Sequence, residues 1–253
     1  VLQVGADIYC DTWRIMQELE RQRPEPTFYP AGLETTANMI AYWAENQLFR
    51  PMSLYVSGRN LDVLPDNLQA DRSRMRGLPE PSPETVRRAA KRSAPAVRVQ
   101  IDWVEALFAD GRDWAAGGAV TVADFALYHA LWFLTARTDR LAFELEGRHC
   151  IQAWMARVAD FGHGTRQEMK SQAALEVAAK AKLMDGYQYD AFEEDPSLGA
   201  AVQVRADDYG RDPVKGALVE LTSAKIGVRR RDAVLGDVVV HFPRLGYDLR
   251  AIQ

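Results

Sequence analysis

The chain has 253 residues, of which 47% are hydrophobic and 26% charged, and its formal net charge is −4 at neutral pH. This composition is that of an ordinary globular protein, and the length allows two compact domains or one domain with an appended module. The acidic balance argues against a general nucleic-acid binder, because such proteins carry clustered positive charge.

Cysteine and histidine usage limits the class of protein further. The two cysteines, Cys10 and Cys150, lie far apart in the sequence, which predicts a protein of the reducing cytoplasm rather than a disulfide-stapled secreted one. The four histidines are scattered without ligand spacing, so we expect no metal cofactor. The apolar run 125–134 is about half of the roughly twenty residues that a membrane helix needs, so we expect no membrane contact.

The first residues predict a β-hairpin. Val1–Val4 alternates like a short strand, Gly5–Asp7 resembles a turn, and Ile8–Cys10 resembles the returning strand. The given sequence begins in the middle of this strand pattern. We therefore expect a larger N-terminal portion to precede Val1.

A helix and a stiff linker follow the hairpin. Asp11 or Thr12 caps a helix whose apolar residues continue at helical spacing as far as Leu19. The helix ends at a proline-rich segment that contains Pro24, Pro26 and Pro30. This segment is the clearest domain boundary in the first half of the chain.

The segment from about 33 to 183 has a helical pattern almost throughout. Thr121 and Asp124 form a capping box at the start of the apolar run 125–134, which predicts a central, buried helix. The segment 83–108 predicts a long helix with an apolar seam that faces a partner.

The pattern changes from helical to β-rich at about residue 198. Turn residues separate short runs at 201–205, 216–221, 226–229 and 238–242, as in a small antiparallel sheet or barrel. We therefore expect a multi-domain α+β protein with an α/β segment, an all-helical domain and an all-β C-terminal module, at residues 1–23, 33–185 and 198–253.

The order of these features resembles the glutathione transferase superfamily. Residues 1–12 look like the end of that family's thioredoxin-like domain, where a hairpin after a cis-proline leads to an acidic residue and a Ser or Thr at a helix N-terminus. Residues 121–124 are similar to the capping box of the central helix in the family's all-helical second domain, and the proline linker lies between the two motifs. The resemblance covers about residues 1 to 183, and it implies that 1–23 is a partial thioredoxin-like, glutathione-binding domain. The β module departs from the usual pattern.

The resemblance implies a glutathione site at the hairpin. Asp11 and Thr12 would bind the γ-glutamyl group at the helix N-terminus, and the Val1 backbone would pair with the cysteinyl part. The alternative for Asp11 is a simple N-cap. In this family the residue that stabilises the thiolate comes from a turn that would precede Val1, so no catalytic residue is assigned here. Cys10 lies on an apolar strand and is interpreted as a buried, inert thiol.

The resemblance further implies a cytoplasmic homodimer that conjugates the thiol of glutathione, its co-substrate, to an electrophilic small molecule. The alternative is a non-catalytic binding or assembly protein of the same fold, with the β module as its partner surface. A third interpretation gives the β module a nucleic-acid role through four arginines, and the acidic net charge disfavours it. These are Arg205, Arg229, Arg230 and Arg231.

Overall fold

The computed structural model describes residues 1–65, 67–208 and 210–252, and its elements form two units. The first, called the sheet unit, contains Val1–Pro24, Arg74–Leu78 and Arg166–Gln253. The second, called the helical unit, contains Glu25–Ser73 and Pro79–Thr165. The sequence predicts three modules in chain order, whereas segments from both ends of the chain belong to the sheet unit.

The helices follow the predicted pattern closely in position. Their bounds are α1 Thr12–Gln22, α2 Glu34–Trp43, α3 Phe49–Arg59, α4 Leu68–Arg76, α5 Pro83–Phe108, α6 Val122–Trp132, α7 His149–Ala159 and α8 Ser171–Lys180. A π-helical turn at Ala44–Leu48 joins α2 to α3, and a short 3-10 turn at Ala142–Leu145 precedes α7. The protein is therefore of the mixed α+β class.

Helix α5 shows why the sequence pattern predicts these helices well. The Ser82 side chain accepts a hydrogen bond from the Thr85 N–H at 3.2 Å, and Pro83 occupies the first turn, where its missing N–H costs nothing. Four residues of the predicted seam are buried, namely Val97, Ile101, Val104 and Phe108, and Leu107 is partly buried.

Helix α6 begins at the predicted capping box, which the structure confirms. One Asp124 oxygen accepts from the Thr121 N–H at 2.9 Å, and the other accepts from the Ala115 N–H at 2.8 Å and the Trp154 indole N–H at 2.9 Å. Asp124 is fully buried. The carboxylate therefore joins the helix start to a preceding turn and to α7, in addition to capping.

Seven strands form one sheet in the described chain, in the order β1-β2-β6-β5-β4-β3-β7. All neighbouring strands pair antiparallel except β2 and β6, which are parallel. The bounds are β1 Leu2–Val4, β2 Asp7–Tyr9, β3 Ala201–Ala206, β4 Val214–Leu221, β5 Lys225–Asp232, β6 Gly236–Pro243 and β7 Tyr247–Ala251. Through the β2–β6 pair, the N-terminal hairpin is continuous with the C-terminal strands.

The faces of this sheet are built from different residue types. One face carries an apolar cluster that includes Val204, Leu218, Val228 and Phe242, all buried. Because side chains alternate along a strand, the intervening residues of β4, β5 and β6 lie on the opposite face. Several of these are charged, and one of them is the buried His241.

No helix in the described part of the chain combines the length and the apolar character that a membrane crossing requires.

We expect Asp124→Ala to lower the free energy of unfolding by about 3 kcal/mol or more, because it leaves buried N–H donors of Ala115 and Trp154 unsatisfied. The matched control is Ser82→Ala, which removes an exposed cap and should cost only about 1 kcal/mol. Urea denaturation followed by far-ultraviolet circular dichroism measures both. Equal losses in the two variants would contradict the structural role assigned to Asp124.

Candidate functional site

The predicted glutathione residues lie together at one end of the N-terminal hairpin. Leu2 pairs with Tyr9 in the antiparallel register, so Val1 is at the same end of the hairpin as Cys10 and Asp11. Val1 is 90% exposed. Thr12 is the first residue of α1 and is also exposed. The structure thus brings Val1, Asp11 and Thr12 to one accessible edge of the sheet unit.

Asp11 has an unusual backbone conformation for its residue type. Its φ is 73°, in the left-handed region, and it is the non-glycine residue with a positive φ in the described chain. Such a conformation costs about 1 kcal/mol or more and is found most often at ligand sites and tight turns. The local hydrogen bonds show how it is held at the start of α1.

Those hydrogen bonds fix the direction of the Asp11 carboxylate. Its Oδ1 accepts from the Trp13 N–H at 2.8 Å, which is the predicted cap. Its Oδ2 is approached by the Tyr247 hydroxyl of β7 at 3.4 Å. Sequence reasoning did not associate Tyr247 with this site, because β7 was not predicted and the two residues lie far apart in the chain.

The thiol of Cys10 is poorly suited to act as a nucleophile. Cys10 packs against the apolar cluster of the sheet. Burial raises the pKa of this thiol, and the Asp11 carboxylate acts in the same direction. Since the thiolate is the reactive form, the raised pKa agrees with the predicted inert role.

A buried charged cluster lies beside this hairpin, centred on His241 of β6. The imidazole Nε2 is 2.7 Å from Asp7 Oδ1, and Nδ1 is 3.0 Å from Glu220 Oε2. His241, Asp7 and Glu220 are all 2% exposed or less. The pKa values of Asp7 and Glu220 are both lowered, so the two carboxylates are ionised and can only accept, and both ring nitrogens carry protons. The geometry therefore defines an imidazolium between two carboxylates.

Neighbouring side chains complete the cluster. Lys225 Nζ lies 2.7 Å from the second Glu220 oxygen, and the Tyr187 hydroxyl donates to Asp7 at 2.8 Å. The ring of Tyr9 stacks on His241 with centroids 4.6 Å apart. With two cations and two carboxylates, the cluster is neutral only when His241 is protonated.

Gly227 provides the space in which Glu220 and His241 meet. It pairs with Glu220 on one side and with His241 on the other. A Cβ atom at this position would come within 2.7 Å of the Glu220 Cβ, closer than real contacts allow. A side chain at position 227 would therefore separate the two partners of the cluster.

The pKa shifts of the cluster follow from these contacts. Burial alone would lower the pKa of His241, but the hydrogen bonds and charges of Asp7 and Glu220 outweigh burial and raise it. Burial alone would likewise raise the pKa of each carboxyl group, but the hydrogen bonds from His241 and its neighbours lower both. For Glu220 the resulting pKa is about 2.

The sequence did not reveal this cluster. Asp7 is predicted to lie in a turn, but the structure places it in β2, buried at 1% exposure. Glu220 and His241 lie within the predicted strands 216–221 and 238–242, and the strand pattern indicates no contact between them. An acidic or histidine residue inside a run of buried β-branched residues is the one available signal, and it does not identify the partners.

No group of metal-binding side chains occurs among residues 1–65, 67–208 and 210–252. Both cysteines are free.

Comparison with known proteins gives a consistent picture of the helical unit. Residues 69–160 match the family model of the glutathione S-transferase C-terminal domain. A search of curated proteins gives no match. The matched segment includes α5, the capping box at Thr121 and Asp124, and all of α7.

A solved structure extends the comparison over nearly the whole chain. A glutathione S-transferase-like protein from Pseudomonas syringae is 29% identical, with a TM-score of 0.77 over 99% of this chain and 80% of its own. A glutathione S-transferase from Rhodospirillum rubrum F11 is 18% identical, with a TM-score of 0.44 over 70% of this chain and 67% of its own. Residues 69–160 thus match the C-terminal domain of glutathione S-transferases, and the chain as a whole is similar to a glutathione S-transferase-like protein.

We expect the stability of the sheet unit to depend on pH through His241. The folded-state pKa of the imidazole is raised, so its contribution is fully present below the unfolded value of about 6.5 and is lost as pH rises through the folded value. On the acid side, the lowered pKa values of Asp7 and Glu220 make stability fall as pH drops below about 4. Urea denaturation from pH 3 to pH 10 should therefore give a maximum near or below neutrality.

The variant His241→Ala should lose about 3 to 5 kcal/mol of unfolding free energy, because it leaves two carboxylates buried against each other. It should also lose the alkaline part of the pH dependence. His163→Ala, at an exposed position, is the control. An unchanged alkaline limb in His241→Ala would contradict the protonated state assigned to the cluster.

Proposed function

We propose that this protein binds glutathione at the N-terminal end of α1 and conjugates its thiol to an electrophilic small molecule. The observation that carries the proposal is the φ of 73° at Asp11, a strained conformation in a residue that also caps the helix. A simple cap does not require it, because capping residues ordinarily have extended backbones. Strain of this kind, maintained by surrounding contacts, is typical of ligand sites.

The chemistry of the site fits the γ-glutamyl group. That group carries an ammonium, which needs an acceptor, and a carboxylate, which needs donors. The exposed Asp11 carboxylate is an acceptor, and the Thr12 hydroxyl and the α1 N-terminus are donors with a favourable dipole. Val1, at the same end of the hairpin, would pair through its backbone with the cysteinyl part.

This assignment makes residues 1–23 the end of a thioredoxin-like, glutathione-binding domain, with residues 33–185 as the helical domain that holds the second substrate. The thiolate of glutathione attacks the electrophilic carbon, forms a C–S bond and displaces the leaving group with its electron pair. Glutathione is a co-substrate in this reaction. We further propose a cytoplasmic homodimer, in keeping with the superfamily and with the two unpaired cysteines.

We expect Thr12→Ala to weaken glutathione binding by about tenfold or more, because a hydrogen bond to a charged group contributes about 1.5 to 3 kcal/mol. Ser171→Ala, at the exposed first residue of α8, is the matched control and should bind as the unchanged chain does. Isothermal titration calorimetry with glutathione measures all three proteins.

Measuring turnover of an activated aryl chloride distinguishes the proposed conjugation from the non-catalytic alternative. Release of chloride with formation of the thioether supports conjugation. Binding of glutathione without turnover supports the non-catalytic alternative, and absence of binding overturns the proposed site.

A further inference from the structure

A basic cleft of about 530 Å³ opens on the sheet unit. None of its lining residues belongs to the proposed glutathione site. Strands β4, β5 and β6 provide its walls. The residues that matter for its chemistry are Lys215, Gly216, Arg229, Arg230, Arg231 and Asp237. The cleft is shallow and open to solvent, so a ligand there would be held mainly by charge.

Strand geometry explains why these cations are close together. Arg229 and Arg231 are two residues apart on β5, so they project from the same face. Arg229 pairs with Ala217 on one side and with Val239 on the other, and Arg231 pairs with Asp237. Ala217, the neighbour of Arg229 on β4, has a short side chain and therefore leaves the cleft open.

Gly216 allows β4 and β5 to approach each other closely beside the cleft. A Cβ atom at this position would lie 2.1 Å from the Arg229 carbonyl oxygen, so no other residue fits without moving β5. The close approach of β4 and β5 at this point holds Lys215 near the arginines of the next strand. The cationic set is therefore fixed by backbone packing.

The charge of the cleft is not compensated within the described chain. Lys215, Arg229 and Arg231 project from the same face of the sheet as one carboxylate, that of Asp237, whereas the Arg230 side chain projects from the opposite face. Lys215, Arg229 and Arg231 are exposed and form no ion pair with any other described residue. By contrast Arg205, which the sequence grouped with these arginines, pairs with Asp248 at 3.1 Å. This concentration of positive charge occurs in a chain whose net charge is −4.

We propose that the basic cleft binds a small molecule that carries phosphate groups. Guanidinium groups bind phosphate oxygens through paired N–H donors, and a neighbouring lysine adds a compact positive charge. A polynucleotide would need a longer cationic track, and the acidic remainder of the protein would repel it. The cleft suits a compact phosphorylated ligand.

The test is calorimetric titration of the full chain with inorganic pyrophosphate and with adenosine diphosphate, at low ionic strength. We expect saturable binding of one molecule per chain, weakened by added salt. Tighter binding of the nucleotide identifies phosphate carried on an organic group, and equal binding identifies free phosphate as the ligand chemistry. Absence of binding by both probes overturns the proposal.

Charge-removal variants locate the site. The double variant Arg229→Gln with Arg231→Gln should bind the tighter-binding probe at least about tenfold more weakly. Lys215→Gln alone should also weaken the binding of that probe. The control is Arg166→Gln with Lys180→Gln, which removes two cations whose side chains are 88% and 79% exposed in the same unit. This control should bind as the unchanged chain does. The altered side chains of the cleft are exposed, so thermal midpoints should stay unchanged.

Two results would overturn the assignment. One is equal affinity in the cleft variants and the control, which would show that the phosphate binds elsewhere. The other is single-stranded oligonucleotide binding that strengthens with length and is lost in the double arginine variant, which would show a polynucleotide surface.

Discussion

The sheet unit depends on an imidazolium held between two carboxylates. Asp7 lies on β2, Glu220 on β4 and His241 on β6, so one buried interaction links strands from the two ends of the chain. A buried charge without a partner is costly, and this arrangement supplies a partner for each oxygen or nitrogen that faces inward. Lys225 pairs with the remaining Glu220 oxygen, and the remaining Asp7 oxygen accepts from the Met184 N–H at 3.0 Å.

The same interaction fixes the register of the parallel β2–β6 pair. Asp7 pairs with Val239 and Tyr9 with His241, which places Tyr9 against the imidazole. A slip of one residue would move His241 to the opposite face, into the apolar cluster that contains Val228 and Phe242. Apolar packing alone specifies this pair weakly, because a strand of three residues offers few contacts. The charged cluster supplies the missing specificity.

Local patterns in the sequence predict the helices well and the sheet pairing poorly. The capping box at Thr121 and Asp124 and the seam of α5 are local signals, and both occur as predicted. Strand β7 was missed because Tyr247–Ala251 is short, polar and only partly buried. Alternation indicates which residues are buried, but it does not identify the neighbouring strand.

The candidate site shows the same division between local and distant information. Asp11 and Thr12 could be located from a hairpin followed by a helix start, since both signals lie within twelve residues. The positive φ of Asp11 could not be predicted, because few residues other than glycine adopt that conformation. Its contact with Tyr247 depends on a strand more than two hundred residues away.

The pairing of β2 with β6 also has a consequence for folding during synthesis. Asp7 and His241 are separated by 234 positions in the chain. At a synthesis rate of about 5 to 20 residues per second, the hairpin leaves the ribosome on the order of ten to fifty seconds before its partner strand exists. During that interval the edge of β2 that will pair with β6 has unsatisfied N–H and C=O groups, and Asp7 has no imidazolium beside it. A nascent chain of this protein is therefore most open to wrong strand pairing, or to protection by a chaperone, at residues 1–10, and this exposure lasts until long after the helical unit has been synthesised.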